Sequence, residues 1–529
     1  MLQAHYRHQS AGWRLFMCLR ILTIFLFLCS HVAAATYFIS PNGNDTTGDG
    51  STGSPWKTFA YSFGEMSASD ELVLKDGTYS LANDTGAITF DNSGQGESGQ
   101  PPSGTSTSAM TIVRAENLGG AVVDGTGEYT NTALFVGRTA RKDSYIKIQG
   151  IKFLTGAAIF NGRYCYMKNC GVTGGRLSIG SADHATDCDH NLIEDCWVWS
   201  DGQRIVAQSY KANYTIWRRV VLRDDGGSCP SSGPEVGLTI YNSNYNLIQN
   251  VISIDRLVVG SDGCYGYADF ATAQHDNDTD FYLVGNQWLG CMVVNSEDTG
   301  FYFEGDNLTS PSHVLKNCIT AGTSGASFDF NIQGDGTSVE NSVAFRDDVD
   351  DGSGSTDEGS YFYSVNSLDY IVGVNKARRG IDSGSITVPY ATLTGTYTIE
   401  ETNNATITNK RTTDPTNDGD PDSIVYPVRL ESGSALDTAG YGFSIEKKIG
   451  TTGAFYGDTG YNTVTSDDLW PWPNEDQIKT DMSEASTRGF CATGETLTKY
   501  IWEYLGNEIP SDIYGEPATI NCSGTANFR

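Results

Sequence analysis

NLIEDCWVW at residues 191–199 and NLIQNVISI at residues 246–254 share one beat: an apolar pair, two polar residues, then a second, mostly apolar run. The beat returns in SYIKIQGIKF (144–153), RYCYMKNCGV (163–172), YTIWRRVVL (214–222), FYLVGNQWL (281–289), HVLKNCIT (313–320) and TSVENSVAF (337–345). Aligned on the second polar residue, the anchors are Gly150, Asn169, Asp195, Arg219, Asn250, Asn286, Asn317 and Asn341, 19 to 36 residues apart. Repeats of this length mark solenoids. Two residues before each anchor stand Ile148, Met167, Ile193, Trp217, Ile248, Val284, Leu315 and Val339, all apolar, whereas the position between is never large and apolar. That alternation is the period of strands with one buried face.

One rung cannot bury its own apolar face. Stacked at about 4.8 Å in a parallel ladder, successive rungs share one core, and each buried Ile, Leu or Val contributes roughly 1.5–3 kcal/mol. Five anchors are Asn, which tolerates the left-handed backbone of a tight bend, so an amide ladder is expected at the bend between two strands. Cys170, Cys196 and Cys318 follow their anchors and read as small buried hydrophobes; zinc ligation would call for CxxC pairs, which are missing.

Bulk properties agree with an all-β chain. There are 60 glycines and only 19% charged residues, which suits short strands and turns. Arg14 and Arg20 precede the apolar run 21–29 and the small residues Ala33, Ala34 and Ala35, the pattern of a cleaved export signal over residues 1–35. The run is shorter than the ~20 residues a membrane-spanning helix needs. The mature chain is therefore expected to be secreted or periplasmic, without a transmembrane segment, and monomeric. Ten cysteines remain after the signal, too few for a disulfide-dependent scaffold. A net charge of −30 argues against nucleic acid, whose binding needs a basic footprint.

YFISPNGNDTTGDGSTGSPWKTFAYSFGEMSASDELVLKDGTY, residues 37–79, resembles the entry segment of secreted right-handed parallel β-helix proteins of the pectate-lyase-like superfamily. WVWSDGQRIVAQSYKANYTIWRRVVLRDDG and LWPWPNED resemble bacterial members of the same group. The resemblance covers roughly residues 37–350. It implies an N-terminal cap and a coil over 36–365, with a polysaccharide as partner. Residues 366–529 are expected to form a C-terminal extension of strands and short helices that packs on the last coils. Asn474 is placed to cap one helix, and Leu497, Ile501, Tyr504 and Leu505 share a face of another that Gly506 would end. Cys491 and Cys522 are candidates for a bridge there.

The resemblance also implies chemistry. β-Elimination in a uronic-acid polymer needs a cation against the substrate carboxylate and a base for the ring proton. Arg204, Lys211, Arg218, Arg219 and Arg223 cluster within twenty residues of a very acidic chain. Lys211 or Arg204 is the candidate base, Arg223 the candidate carboxylate clamp, and Arg218, Trp197 and Trp199 are candidate substrate contacts; ion pairing with nearby acids is the alternative for the cations. Calcium is the expected cofactor, held by Asp276, Asp278 and Asp280 of HDNDTD or by Glu297 and Asp298 of NSEDTGF. Solvated turns are the alternative for each loop. NSEDTGF departs from the acidic calcium segment it resembles in one pectate lyase family, since Tyr302 stands where another acid belongs and no lysine follows. Two functions stay open: a secreted polysaccharide lyase or related carbohydrate-active enzyme, and a non-catalytic polysaccharide-binding or cell-surface protein built on the same coil.

Overall fold

A computed structural model describes residues 34–504 except 90–98, 138–141, 181–187, 201–204, 226–234, 257–265, 274–282, 297–298, 305–312, 324–329, 334–336, 341, 346–359, 364–366, 370–371, 375–446 and 484–486. The residues assigned to the export signal lie outside this set, apart from Ala34 and Ala35. Strands in long parallel sheets dominate. The chain winds repeatedly through three sheets, each strand pairing with its equivalent one coil earlier and one coil later, and forms a right-handed parallel β-helix.

The first sheet carries the predicted inward column. Ile148, Met167, Ile193, Trp217, Ile248, Trp288, Leu315 and Val339 sit directly over one another and all are buried. Seven of these eight are the residues read from the sequence. The sixth is a correction, because Trp288 and not Val284 occupies the column. Val284-Gly285-Asn286 imitates the beat four residues early, but the larger ring at Trp288 is the one the core takes in. Strands Ser367–Asp369 and Val372–Val374 still belong to the coil, so it continues past the expected boundary at 365.

From the strand Ile146–Gln149 to the strand Val314–Lys316, the bend after each first-sheet strand is left-handed, as expected. Gly150, Asn169, Asp195, Arg219, Asn250, Gly290 and Asn317 there have φ between 49° and 73°. The amide ladder is at a different bend. Just before the first sheet, the Asn191 side chain accepts from the Cys165 N–H, the Asn246 side chain from the Thr215 N–H, and the Asn286 side chain from the Asn246 N–H. His313 continues that column, its Nδ1 accepting from the Asn286 N–H, and burial pushes the imidazole down to about 4. Along the neighbouring position Tyr145, Tyr164, His190, Tyr214 and Tyr245 form a ring stack with 4.8–5.3 Å between centroids.

Helix α1 (Phe59–Glu65) closes the N-terminal end. The Thr58 hydroxyl accepts from the Tyr61 N–H as its N-cap, and Phe59, Phe63 and Trp56 enter the coil core. The described part of the C-terminal segment, residues 447–504, lies along the outside of the coil. A hairpin of Lys447–Ile449 and Val464–Asp468 lies on the outside of the first sheet, where Phe455 meets Tyr166, Leu192, Ile216 and Leu247. Helices α2 (Glu475–Met482) and α3 (Leu497–Tyr504) lie on the outside of the second, against Trp197, Val221, Ile252, Met292 and Ile319. Asn474 precedes α2 but makes no cap bond; its amide donates to Asn169 instead. Leu497 and Ile501 of α3 are buried. Cys491 is buried in this layer and Cys522 lies outside the described residues.

Replacing Trp288 by Ala is expected to cost about 3–5 kcal/mol, whereas Val284→Ala, at a half-buried site outside the column, should cost less than about 1 kcal/mol. Denaturant midpoints of the two variants check the register.

Candidate functional site

The cationic cluster is split by burial. Arg218 is fully buried beneath the C-terminal hairpin. Its Nε donates to Gln249, Nη1 to Glu194 and the Thr451 carbonyl, and Nη2 to the Ala454 and Tyr461 carbonyls, at 2.7–3.3 Å. All five guanidinium protons are used. Arg223 is equally buried under the helical part, donating to the carbonyls of Met482 and Arg488 and pairing with Asp225 at 3.0 Å and Asp255 at 3.5 Å. Arg219 pairs with Asp195 at 2.6 Å. The expectation of an exposed carboxylate clamp at Arg223 and a substrate contact at Arg218 is thereby corrected: both side chains hold the covering segment down. Outward on a strand means solvent only where nothing lies on the sheet.

Trp197 and Trp199 are corrected for the same reason. Both are buried, with Trp197 Nε1 donating to Asp481 at 2.8 Å and Trp199 Nε1 to Asp225 at 2.9 Å. They contact the extension, not a sugar. Trp217 and Trp288 are core residues. A signal for this layer was present in the sequence, since the second-sheet strands WVWS and MVVNS carry apolar residues on both faces, and a strand exposed on one side would not.

Under the hairpin the charges are matched in detail. Burial alone would raise the Glu194 carboxyl, but Arg218, Lys448 at 3.3 Å and the Tyr166 hydroxyl outweigh it and hold the group below its ordinary value. Asp255 and Asp481 behave the other way. Burial keeps Asp255 raised despite Asn295, Arg223 and Tyr500, and keeps Asp481 raised despite Lys152 at 3.3 Å and Trp197.

The third sheet presents a different outer face. Its strands include Ala157–Phe160, Leu177–Gly180, Ile205–Tyr210, Glu235–Tyr241 and Gly266–Ala273. Phe160, Gln208, Tyr210, Tyr241, Tyr302 and Ser178 point outward and are half-buried, so each keeps contact with solvent. Tyr210 and Tyr241 stack at 5.6 Å with planes 23° apart, and Gln208 Nε2 donates to Ser178 Oγ at 3.1 Å. Lys211 follows Tyr210 with φ 53°, and its Nζ lies 5.6 Å from the Tyr210 ring centroid. On other rungs this left-handed position belongs to Asn161 and Asn242. A lysine held there occupies backbone space it disfavours, a feature that concentrates at functional sites.

Arg204, Asp276, Asp278, Asp280, Glu297 and Asp298 lie outside the described residues. Among the described residues no group of three or more His, Cys, Asp or Glu is arranged to hold a metal ion. Asp269 is buried and accepts from the hydroxyls of Ser253 and Ser296. No described helix is long and apolar enough to cross a membrane.

No protein-family model matches the sequence, and no curated protein does. Among solved structures, a pectate lyase is 14% identical with a TM-score of 0.37, over 60% of this chain and 77% of that one. An alginate lyase from Paenibacillus sp. is 14% identical with a TM-score of 0.37, over 59% of this chain and 94% of that one. A lacto-N-biosidase from Eubacterium ramulus is 10% identical with a TM-score of 0.39, over 74% of this chain and 71% of that one. The likeness is one of fold.

Two outcomes are expected from the buried charges. Arg218→Ala should cost about 3–5 kcal/mol, because it strands Glu194 without its partner, and denaturant unfolding measures it. Because the Glu194 carboxyl is depressed, its stabilisation is present above the ordinary glutamate range and is lost as pH falls through the depressed value. The Gly453 amide, which donates to Glu194 at 3.1 Å, should therefore lose hydrogen-exchange protection on acidification, normalised for the intrinsic rate. Glu194→Gln should abolish that acid step.

Proposed function

We propose that this is an exported carbohydrate-active protein that takes an acidic polysaccharide along the outer face of its third sheet and cleaves it by β-elimination. One observation carries the reading. The first and second sheets spend their outer faces on the C-terminal segment, whereas the third keeps rings, hydroxyls, an amide and one lysine in contact with solvent. Half-buried tyrosines with a polar tip, next to amide and hydroxyl groups, suit a ligand that is apolar on its ring faces and polar at its edges.

In this reading Lys211 sets its ammonium against the substrate carboxylate and lowers the cost of the negative charge that develops when the ring proton beside that carboxylate is removed. The electron pair of the broken C–H bond forms a double bond within the ring, and the neighbouring C–O bond to the next sugar breaks. The leaving oxygen then takes up a proton. The hydroxyl of Tyr210 or Tyr241 takes the ring proton as it passes its own proton to the leaving oxygen. Arg204, outside the described residues, remains a candidate base. Calcium is the expected cofactor, and Asp276, Asp278 and Asp280 or Glu297 and Asp298 would hold it, where it would supply further positive charge against the substrate carboxylate. The resemblance to the pectate-lyase-like superfamily supports the substrate class. Burial of Arg218 and Arg223 favours a second reading, retention of the polymer without cleavage, because it removes two of the cations that the chemistry was expected to use.

Incubation with alginate, pectate and neutral polymers, with calcium and again with chelator, separates the readings. The lyase yields unsaturated uronate ends that absorb in the ultraviolet, and Lys211→Ala should slow their appearance on the order of a hundredfold. Retention on an acidic polymer column without products identifies a binder, and an unchanged rate in Lys211→Ala removes that residue from the mechanism.

A further inference from the structure

Beside the C-terminal hairpin, the first sheet keeps part of its outer face in contact with solvent. Phe455 of the hairpin meets Tyr166 edge-on at 6.1 Å. On the preceding rung Lys147 and Gln149 point outward and are half-buried. Register sets Lys147 beside Tyr166 and Gln149 beside Lys168, so two adjacent rungs carry a four-cornered ledge with a lysine at each end of one diagonal. The Lys147 ammonium lies 5.1 Å from the Tyr166 ring centroid, and the Lys168 side chain is 20% exposed.

Positive charge is left over at this ledge. Lys168 has two acidic neighbours, Glu194 and Asp195, each at 3.9 Å. Other cations hold both of them more closely: Arg218 at 3.1 Å and Lys448 at 3.3 Å from Glu194, and Arg219 at 2.6 Å from Asp195. Lys147, Lys168, Arg218, Arg219 and Lys448 thus stand around the carboxylates of Glu194 and Asp195, in a chain whose formal charge is −30. Burial, and after it the charge of Lys168, hold the Lys147 ammonium below the ordinary lysine value, and Glu194 and Glu71 offset this only in part. Glu71 itself is paired with Arg114 at 2.6 Å. Like charges gathered at a half-buried place repel one another, and an anion set between them relieves the cost.

We propose that the ledge of Lys147, Gln149 and Lys168 is an oxyanion-binding site, separate from the third-sheet face. The two ammoniums supply charge-assisted hydrogen bonds, and the Gln149 amide supplies a neutral one. Lysine is a compact charge without the planar fork of arginine, so the ledge accepts tetrahedral and planar oxyanions alike. A free sulfate or phosphate has the required chemistry, and so does a carboxylate or sulfate group carried by a sugar. The site does not depend on the third sheet taking a polymer.

Titration of the full mature chain with sodium sulfate, followed by nuclear magnetic resonance of isotopically labelled lysine side chains, tests this. Sulfate should shift the Lys147 and Lys168 signals saturably and raise the pH midpoint of Lys147. Sodium chloride at equal ionic strength only screens and should give no saturation. Lys168→Met should weaken sulfate binding about tenfold, and without any sulfate it should raise the Lys147 midpoint, because a repelling charge is gone. Lys147→Arg keeps the charge and should keep sulfate binding, as should Lys211→Met on the third sheet. Overlapping sulfate and chloride curves overturn the site, and so does a sulfate response that Lys168→Met leaves unchanged. Tetragalacturonate and its carboxyl-reduced counterpart then distinguish the sources. Displacement of sulfate by the acidic form alone supports a sugar-borne group as the ligand, and displacement by inorganic phosphate alone supports a free ion.

Discussion

Parallel pairing in fixed register is the constraint on which every other feature rests. Each strand is bound to its equivalents in the preceding and following coils, so a side chain's neighbours above and below are set by the ladder. Moving one rung by one residue would turn its whole apolar set outward. The same rule that stacks Ile193 on Trp217 and Ile248 in the core stacks Trp197 on Val221 and Ile252 outside, and sets Phe160, Gly180 and Tyr210 in line on the third face. Core, covering layer and candidate ligand surface are three readings of one register.

The covering layer explains where the charges went. A guanidinium inside a protein is costly unless every donor is met, and Arg218 meets that condition by taking three carbonyl oxygens from the hairpin itself. Arg223 takes two carbonyls from the helical part, and its Nε faces the Asp255 carboxylate at 3.5 Å. Such pairs add little net stability compared with apolar replacements, but their geometry admits one seating of the segment. The apolar contacts of Trp197, Ile252 and Met292 with α2 and α3 supply the attraction, and the arginines supply the alignment.

Much of the fold was legible because the first sheet is regular. Seven of eight inward residues could be named from the chain, and the left-handed bends at Asn169, Asn250 and Asn317 followed from the chemistry of Asn. Trp288 was missed because Val284 and Asn286 copy the pattern in a coil with a longer connection, and only the core decides between two candidate registers. The site was less legible. Strand period says which way Arg218 and Arg223 point, not what lies on top of them, and the covering residues are more than two hundred positions downstream. Lys211 was found through its charge, whereas Phe160, Tyr210 and Tyr241 carry no motif. Their association exists only after rungs of unequal length are stacked, although the doubly apolar strands WVWS and MVVNS did announce that the second sheet was covered.

The placing of the C-terminal segment alters how the solenoid can come apart. A plain coil is held by contacts between adjacent rungs, so it loses order from its ends inward, one turn at a time. Here a single stretch of chain touches the rung of Lys152 through Asp481 and the rung of Asn295 through Tyr500. Those turns and the ones between them are tied to a common element, and none can open without disturbing its grip on the others. The middle of the molecule should therefore melt as one block, with fraying arrested where the segment begins and ends, as a splint bound along several links makes a stretch of chain behave as a bar.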